Sequence, residues 1–169
     1  MKVHIPIRLL RIEGDGFHLL AKIRINGKNA DVILDTGASK TVFDKTQVLA
    51  FVKEEKLNEN ERLSTGLGTA SMQSHTLVIR KIEMGKIILE NYNSVILDLS
   101  HVNQTYSALG LKQIVGVIGS DLFAEFKALI DYGKKELLLT VTPQKKAKKK
   151  AAPKRPVKKK KKPAPKKKK

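Results

Sequence analysis

The apolar residues of this chain come in short runs, and nearly every run is cut by glycine, asparagine or an acidic turn residue. Val3 to Ile12 alternates loosely and stops at Glu13-Gly14-Asp15-Gly16. Phe17 to Ile25 stops at Asn26-Gly27. Both residues of that pair tolerate positive φ, so they favour the tight hairpin turn whose twist suits antiparallel strands. Ala30 to Leu34 returns from the turn, and Thr41-Val42-Phe43 follows. Further runs are His75 to Ile82, Lys86 to Leu89 and Ser94 to Leu99, with Met84-Gly85 separating the first two. Ile114 to Ile118 comes next, and Ala128 to Tyr132 with Glu136 to Val141 forms a last hairpin about Gly133. Roughly nine short strands with turn residues between them predict an all-β barrel or sandwich.

One or two short helices interrupt the pattern. Val48, Leu49 and Val52 stand at helical spacing inside the polar segment 45–63, whose remainder, including Asn58-Glu59-Asn60-Glu61, reads as an exposed loop. Ser64-Thr65-Gly66-Leu67-Gly68-Thr69 reads as a mobile, glycine-rich tip. The stretch after Leu99 has no clear period and reads as irregular. Residues 120–127, SDLFAEFK, put Leu122, Phe123 and Phe126 on one face, with Ser120 or Asp121 as the expected N-cap.

The formal charge of +18 is unevenly spread. Residues 145–169 carry 16 of the 34 basic residues and none of the 16 acidic ones, which leaves 18 against 16, a net of +2, in the first 144. The chain therefore divides into a nearly neutral domain, residues 1–142, and a Lys/Pro/Ala-rich tail, residues 143–169. The tail has no large apolar residue and its charges repel, so it is expected to be disordered. It also lacks aromatics for base stacking, and lysine outnumbers arginine. Sequence-specific readout of bases is therefore disfavoured, and non-specific, salt-sensitive binding of nucleic acid or another polyanion through residues 145–169 is expected. An extension that only aids solubility is the alternative. The chain contains no cysteine, which excludes disulfides and thiolate metal sites. The N-terminus lacks a signal-peptide pattern, and no window approaches the roughly eighteen apolar residues of a spanning helix. A cytoplasmic protein with no membrane partner is the expectation, associated with nucleic acid if the tail binds it.

The segment ADVILDTGAS, residues 30–39, is the one place where a buried strand ends on an acid and turns at once on glycine. Asp35-Thr36-Gly37 by itself is a modest signal, since the tripeptide arises by chance in roughly one chain of this length in thirty. An ordinary turn would read the same way. Its context adds weight: an apolar strand before it, the small pair Ala38-Ser39 after it, and a second glycine-ended apolar pair, Val117-Ile118-Gly119, some eighty residues on.

The ordered segments ADVILDTGASKTVFD, GLGT and GVIGSDLFAEFKALID resemble the retropepsin-like aspartic proteases, the retroviral enzymes and the related domain of Ddi1-type proteins. The resemblance runs from about Phe17 to Val141 and leaves the tail outside. It implies a retropepsin-like acid protease barrel, active as a two-fold homodimer in which each chain contributes one Asp. With a single Asp-Thr-Gly and no Asp-Ser-Gly, this chain cannot supply both carboxylates itself. The resemblance makes Asp35 the catalytic acid and Thr36, Gly37, Ala38, Val117, Ile118 and Gly119 the support of its loop. Gly66, Leu67, Gly68 and Thr69 become the tip of a substrate-binding flap. No cofactor or metal is implied, and the substrate is a polypeptide bound in extended form. Ala38 cannot donate the hydrogen bond that a serine could give the carboxylate, so activity is expected to extend towards neutral pH.

Other chemistries are weaker fits. GLGTAS lacks the third glycine and the βαβ setting of a dinucleotide fingerprint. His4, His18, His75 and His101 have no metal-ligand spacing and read as structural or solvent-facing, and no serine sits in G-x-S-x-G. Asp31, Asp44, Asp98, Asp121 and Asp131 read as surface, cap or turn carboxylates. Two alternatives to a protease remain at this level. One is a catalytically weak dimeric peptide-binding module, and the other is a nucleic-acid-binding protein that uses the fold only to dimerise.

Overall fold

A computed structural model describes residues 1–12, 14, 16–52, 58–66 and 69–141. The strands and helices in chain order are β1 (Lys2–Arg11), β2 (Phe17–Ile25), β3 (Lys28–Leu34), β4 (Val42–Asp44), a 3-10 turn at Gln47–Ala50, β5 (Asn58–Gly66), β6 (Thr69–Met84), β7 (Ile87–Leu97), α1 (Ser100–Ala108), β8 (Gly116–Ile118), α2 (Ser120–Glu125), β9 (Leu129–Asp131) and β10 (Glu136–Thr140). Hydrogen-bonded neighbours follow the order β5-β6-β7-β4-β8-β3-β2-β1-β10-β9. A further β6–β2 pairing joins Arg24 to Glu83 and Ile25 to Ile82. That contact closes the strands β6, β7, β4, β8, β3 and β2 into a barrel. Closure leaves these six strands without a free edge on that side.

Period-two alternation sends one face of each strand inward. In β1, Val3, Ile5 and Ile7 are buried while Lys2, His4, Pro6 and Arg8 are exposed. In β2 and β10, Ile23, Ile25, Leu137 and Leu139 do the same. The β2–β3 turn is the predicted one, with Asn26 at φ 48° and Gly27 at φ 84°. The two ends of the described chain are stitched together, since the Met1 amino group donates to the Val141 carbonyl at 2.8 Å and Val141 N–H returns to Met1 O at 2.8 Å.

One part of the topology is not local. β8 runs parallel to β3 and lies between β3 and β4, pairing Ile33 with Val117 on one side and Val42 with Val117 on the other. The strand that follows the Asp35 turn is thereby separated from the strand that precedes it by one arriving some eighty residues later.

Several expectations are corrected. Residues 58–63, expected as loop, and 64–66, expected as part of the tip, form one strand paired with β6. The runs Lys86–Leu89 and Ser94–Leu99 belong to one continuous strand, β7, so the described residues hold ten strands rather than nine. The irregular stretch after Leu99 contains α1, whose buried positions are only Asn103 and Tyr106. Tertiary contacts hold that helix. Both ends of the Asn103 amide bond the Ile114 backbone, at 3.1 and 2.9 Å. Tyr106 and Ile114 form, with Leu20, a second small apolar cluster outside the barrel core. Among the described residues, no helix is long and apolar enough to cross a membrane.

Candidate active site

The strand β3 is inward-facing through Leu34, and the next residue is at the surface: Asp35, Thr36 and Gly37 are all exposed. The Asp35 backbone still belongs to the sheet, since its N–H donates to Ile118 O at 3.0 Å and extends the parallel β3–β8 pairing by one residue. After it the chain reverses. Ala38 N–H donates to Asp35 O at 3.3 Å, and Gly37 N–H donates to Asp35 Oδ1 at 2.8 Å. A Cβ on Gly37 would lie 3.2 Å from that same carboxylate oxygen, so the residue type keeps the amide within reach of the acid. The carboxylate is therefore aimed by backbone on a barrel strand, which is more rigid than a free loop.

The second motif packs behind this turn. Val117 and Ile118 lie on β8, and Gly119 sits directly under the loop. A Cβ at Gly119 would meet Lys40 O at 2.6 Å and Ala38 O at 2.8 Å, both backbone atoms. Only a hydrogen at that position allows the approach. Gly119 N–H donates to Thr41 Oγ1 at 3.0 Å, and Ser120 N–H donates to Ala38 O at 2.8 Å. Thr41 in turn donates from both its N–H and its hydroxyl to Asp121 Oδ1, each at 2.8 Å. The phenol of Tyr92 joins the same group. Burial, followed by the charge of Asp121, pushes its pKa up to about 12.

The N-terminus of α2 is capped only in part as expected, since Asp121 Oδ1 accepts from the first-turn N–H of Leu122 at 2.9 Å while Ser120 turns elsewhere. Its N-cap is Gly119, with no side-chain capping bond. Ser120 Oγ instead donates to Thr36 O at 2.7 Å, and Asp121 faces Thr41. The sequence signal for a cap was the residue type at a helix start, and a donor or acceptor at that place serves a neighbouring loop equally well.

Asp35 and Thr36 stand at the edge of a cleft of about 460 Å³ whose other walls include Ile33, Val117, Val102 of α1 and Ile130. His18 also lines it. Its Nδ1 lies 2.7 Å from the Tyr106 hydroxyl, which ties β2 to α1. Burial raises the pKa of that phenol to about 12. Neither His18 nor α1 stood out in the sequence, because the helix has almost no apolar stripe.

Of the four flap residues, Gly66 ends β5, Thr69 begins β6, and the two are paired. Leu67 and Gly68 lie outside the described residues, as does the tail. Two of the other acids are not at the surface. Asp31 is 4 % exposed and pairs with Arg8 at 3.0 Å and Lys112 at 3.4 Å. Asp44 is also buried, accepting from the N–H groups of Thr46, Gln47 and Leu99. Among the described residues, no group of three or more His, Asp or Glu could hold a metal ion.

Residues 21–122 match the protein family described as Aspartyl protease. No curated protein matches the sequence. Among solved structures, the chain is similar to a retropepsin-like aspartic protease from Rickettsia conorii at 20% identity and a TM-score of 0.49, covering 82% of this chain and 89% of that one. It is similar to the EIAV protease complexed with the inhibitor HBY-793 at 14% identity and a TM-score of 0.48, covering 72% and 99%. A third is the retroviral protease-like domain of Ddi1 from Leishmania major, at 12% identity and a TM-score of 0.49, covering 77% and 98%.

Proposed function

This chain belongs to the aspartyl protease family, and we propose that it is an endopeptidase whose working site is a pair of Asp35 carboxylates from two copies of the chain. The observation that carries the reading is an exposed acid at the end of a barrel strand, held by the Gly37 amide at 2.8 Å, on the edge of a cleft. The chain has one such loop, so a two-carboxylate site requires an isologous dimer. The Thr36 hydroxyl, on the exposed side of the turn, is the group that would reach across the two-fold axis.

Two carboxyls at close range cannot both ionise, so they share one proton. The ionised member takes a proton from a water held between them. That water attacks the peptide carbonyl, and the protonated member donates to the carbonyl oxygen. Collapse of the tetrahedral adduct expels the amine, which receives a proton from the dyad. The apolar walls beside Asp35 suit side chains of an extended peptide. The hairpin formed by β5 and β6, paired as far as Gly66 and Thr69, is the element that would close over the substrate and exclude water.

In this reading residues 1–142 are the protease domain, and the basic tail from residue 143 holds it near polyanions by phosphate contacts. The test is a peptide-library digest of the wild type beside Asp35→Asn, with sedimentation at the assay concentration. Cleavage by a wild-type dimer and none by Asp35→Asn is expected. Full activity in a monomer, or in Asp35→Asn, would overturn the proposal.

A further inference from the structure

The peptide unit joining Thr36 to Gly37 is hydrogen-bonded at both ends. Its N–H, on Gly37, donates to Asp35 Oδ1 at 2.8 Å, and its carbonyl, on Thr36, accepts from Ser120 Oγ at 2.7 Å. A carbonyl oxygen can only accept, so the serine hydroxyl is the donor. Because the unit is planar and trans, its N–H and C=O point opposite ways from one rigid plate. Whatever holds the carbonyl fixes the direction of the N–H. Donation to the carbonyl also draws electron density through the amide and makes the N–H a better donor, as along any chain of hydrogen bonds.

We propose that Ser120 is a positioning residue for peptide hydrolysis: its hydroxyl orients and polarises the Thr36–Gly37 peptide, which in turn aims the Asp35 carboxylate. The inference rests on the reading of Asp35 as the catalytic acid.

Three observations separate this role from an ordinary helix-start serine. The hydroxyl makes no capping bond to α2. The loop stays attached to α2 without it, because Ser120 N–H donates to Ala38 O and Gly119 N–H donates to Thr41 Oγ1. What the hydroxyl adds is control of a single peptide plane. Packing contributes little to holding that plane, since Thr36, Gly37, Ser39 and Lys40 are exposed.

Ser120→Ala and Ser120→Thr in the full chain, beside wild type and Asp35→Asn, test the inference by two readouts. The first is the Gly37 amide resonance. It should move upfield, with faster exchange, in Ser120→Ala and return in Ser120→Thr. An unmoved Gly37 amide overturns the inference whatever the activity. The second is kinetics on a peptide that wild type cleaves and Asp35→Asn does not. Ser120→Ala should lower kcat by about tenfold with KM nearly unchanged, as expected when a reacting group is slightly misaimed. Ser120→Thr should recover most of the loss. A loss confined to KM, or a threonine variant as poor as alanine, overturns it. Absence of cleavage by wild type defeats the proposed function instead, and the amide measurement still decides whether Ser120 sets this peptide.

Discussion

Adding one methyl group at Gly119 should move the candidate site without touching any acid. The new Cβ would stand 2.6 Å from Lys40 O and 2.8 Å from Ala38 O, where ordinary contact begins at 3.4 Å. Moving the Lys40 carbonyl from 2.6 to 3.4 Å requires a shift of about 0.8 Å. Both obstacles are backbone, so no rotamer change relieves them. The φ of Gly119 is −105°, which any residue adopts, so the whole penalty is steric. Overpacking of this kind costs about 1–3 kcal/mol, and disturbing the Gly119 N–H to Thr41 bond adds about 1 kcal/mol. For a chain of this size such a loss lowers Tm by about 5–15 °C. The displaced segment carries Asp35, and a shift approaching 1 Å in a reacting group costs about a hundredfold in rate. The assay pairs denaturant unfolding with peptide cleavage, and Gly133→Ala is the control. A Cβ at Gly133 lies at an ordinary 3.4 Å from Asp131 Oδ1, so that variant should match wild type in both measurements. If Gly119→Ala behaves like Gly133→Ala in stability and rate, β8 does not brace the Asp35 loop as described.

Three further outcomes follow from named groups. Ala38→Ser offers the Asp35 carboxylate another hydrogen-bond donor and favours its charged form, so the shared proton leaves sooner and the neutral-side limb of the pH–rate profile should move to lower pH; a superimposable profile would refute this. Tyr92 and Tyr106, with pKa values pushed up to about 12, should ionise in an ultraviolet titration only well above an ordinary phenol. Because the unfolded phenols lose their protons near 10, the stability these groups contribute is complete below pH 10 and is lost as pH rises towards 12, which alkaline unfolding curves would detect. Deleting residues 145–169 should abolish retention on nucleic acid, itself steeply salt-dependent, and leave peptide cleavage intact; retention by the truncated chain would move the binding surface into the domain.

The local parts of the fold were legible because single residues decide them. Asn26-Gly27 dictates its hairpin through two positive φ values, and alternation in β1 dictates which face is buried. Helix α1 was not legible, because its stability comes from Asn103 clasping the Ile114 backbone and from Tyr106 burying itself against Leu20. Strand β5 was hidden for a similar reason, since Asn58-Glu59-Asn60-Glu61 is charged and becomes a strand through its pairing with β6. Ser120 differs from its expected capping role, because side-chain chemistry names a bond but not its recipient, whereas Asp121 does accept the first-turn N–H of Leu122 and serves Thr41 as well.

The order of residues alone was enough to specify short strands, a nearly neutral stretch ahead of a strongly basic one, and an acid-glycine turn at the end of a buried strand. Each of these depends on neighbours a few positions away, or on charge summed along the chain. The insertion of β8 between β3 and β4, the closeness of Gly119 to Lys40, and the serine hydroxyl on the Thr36 carbonyl were settled only in three dimensions. Those contacts join residues some eighty positions apart, and the energy that selects them comes from closing the barrel as a whole.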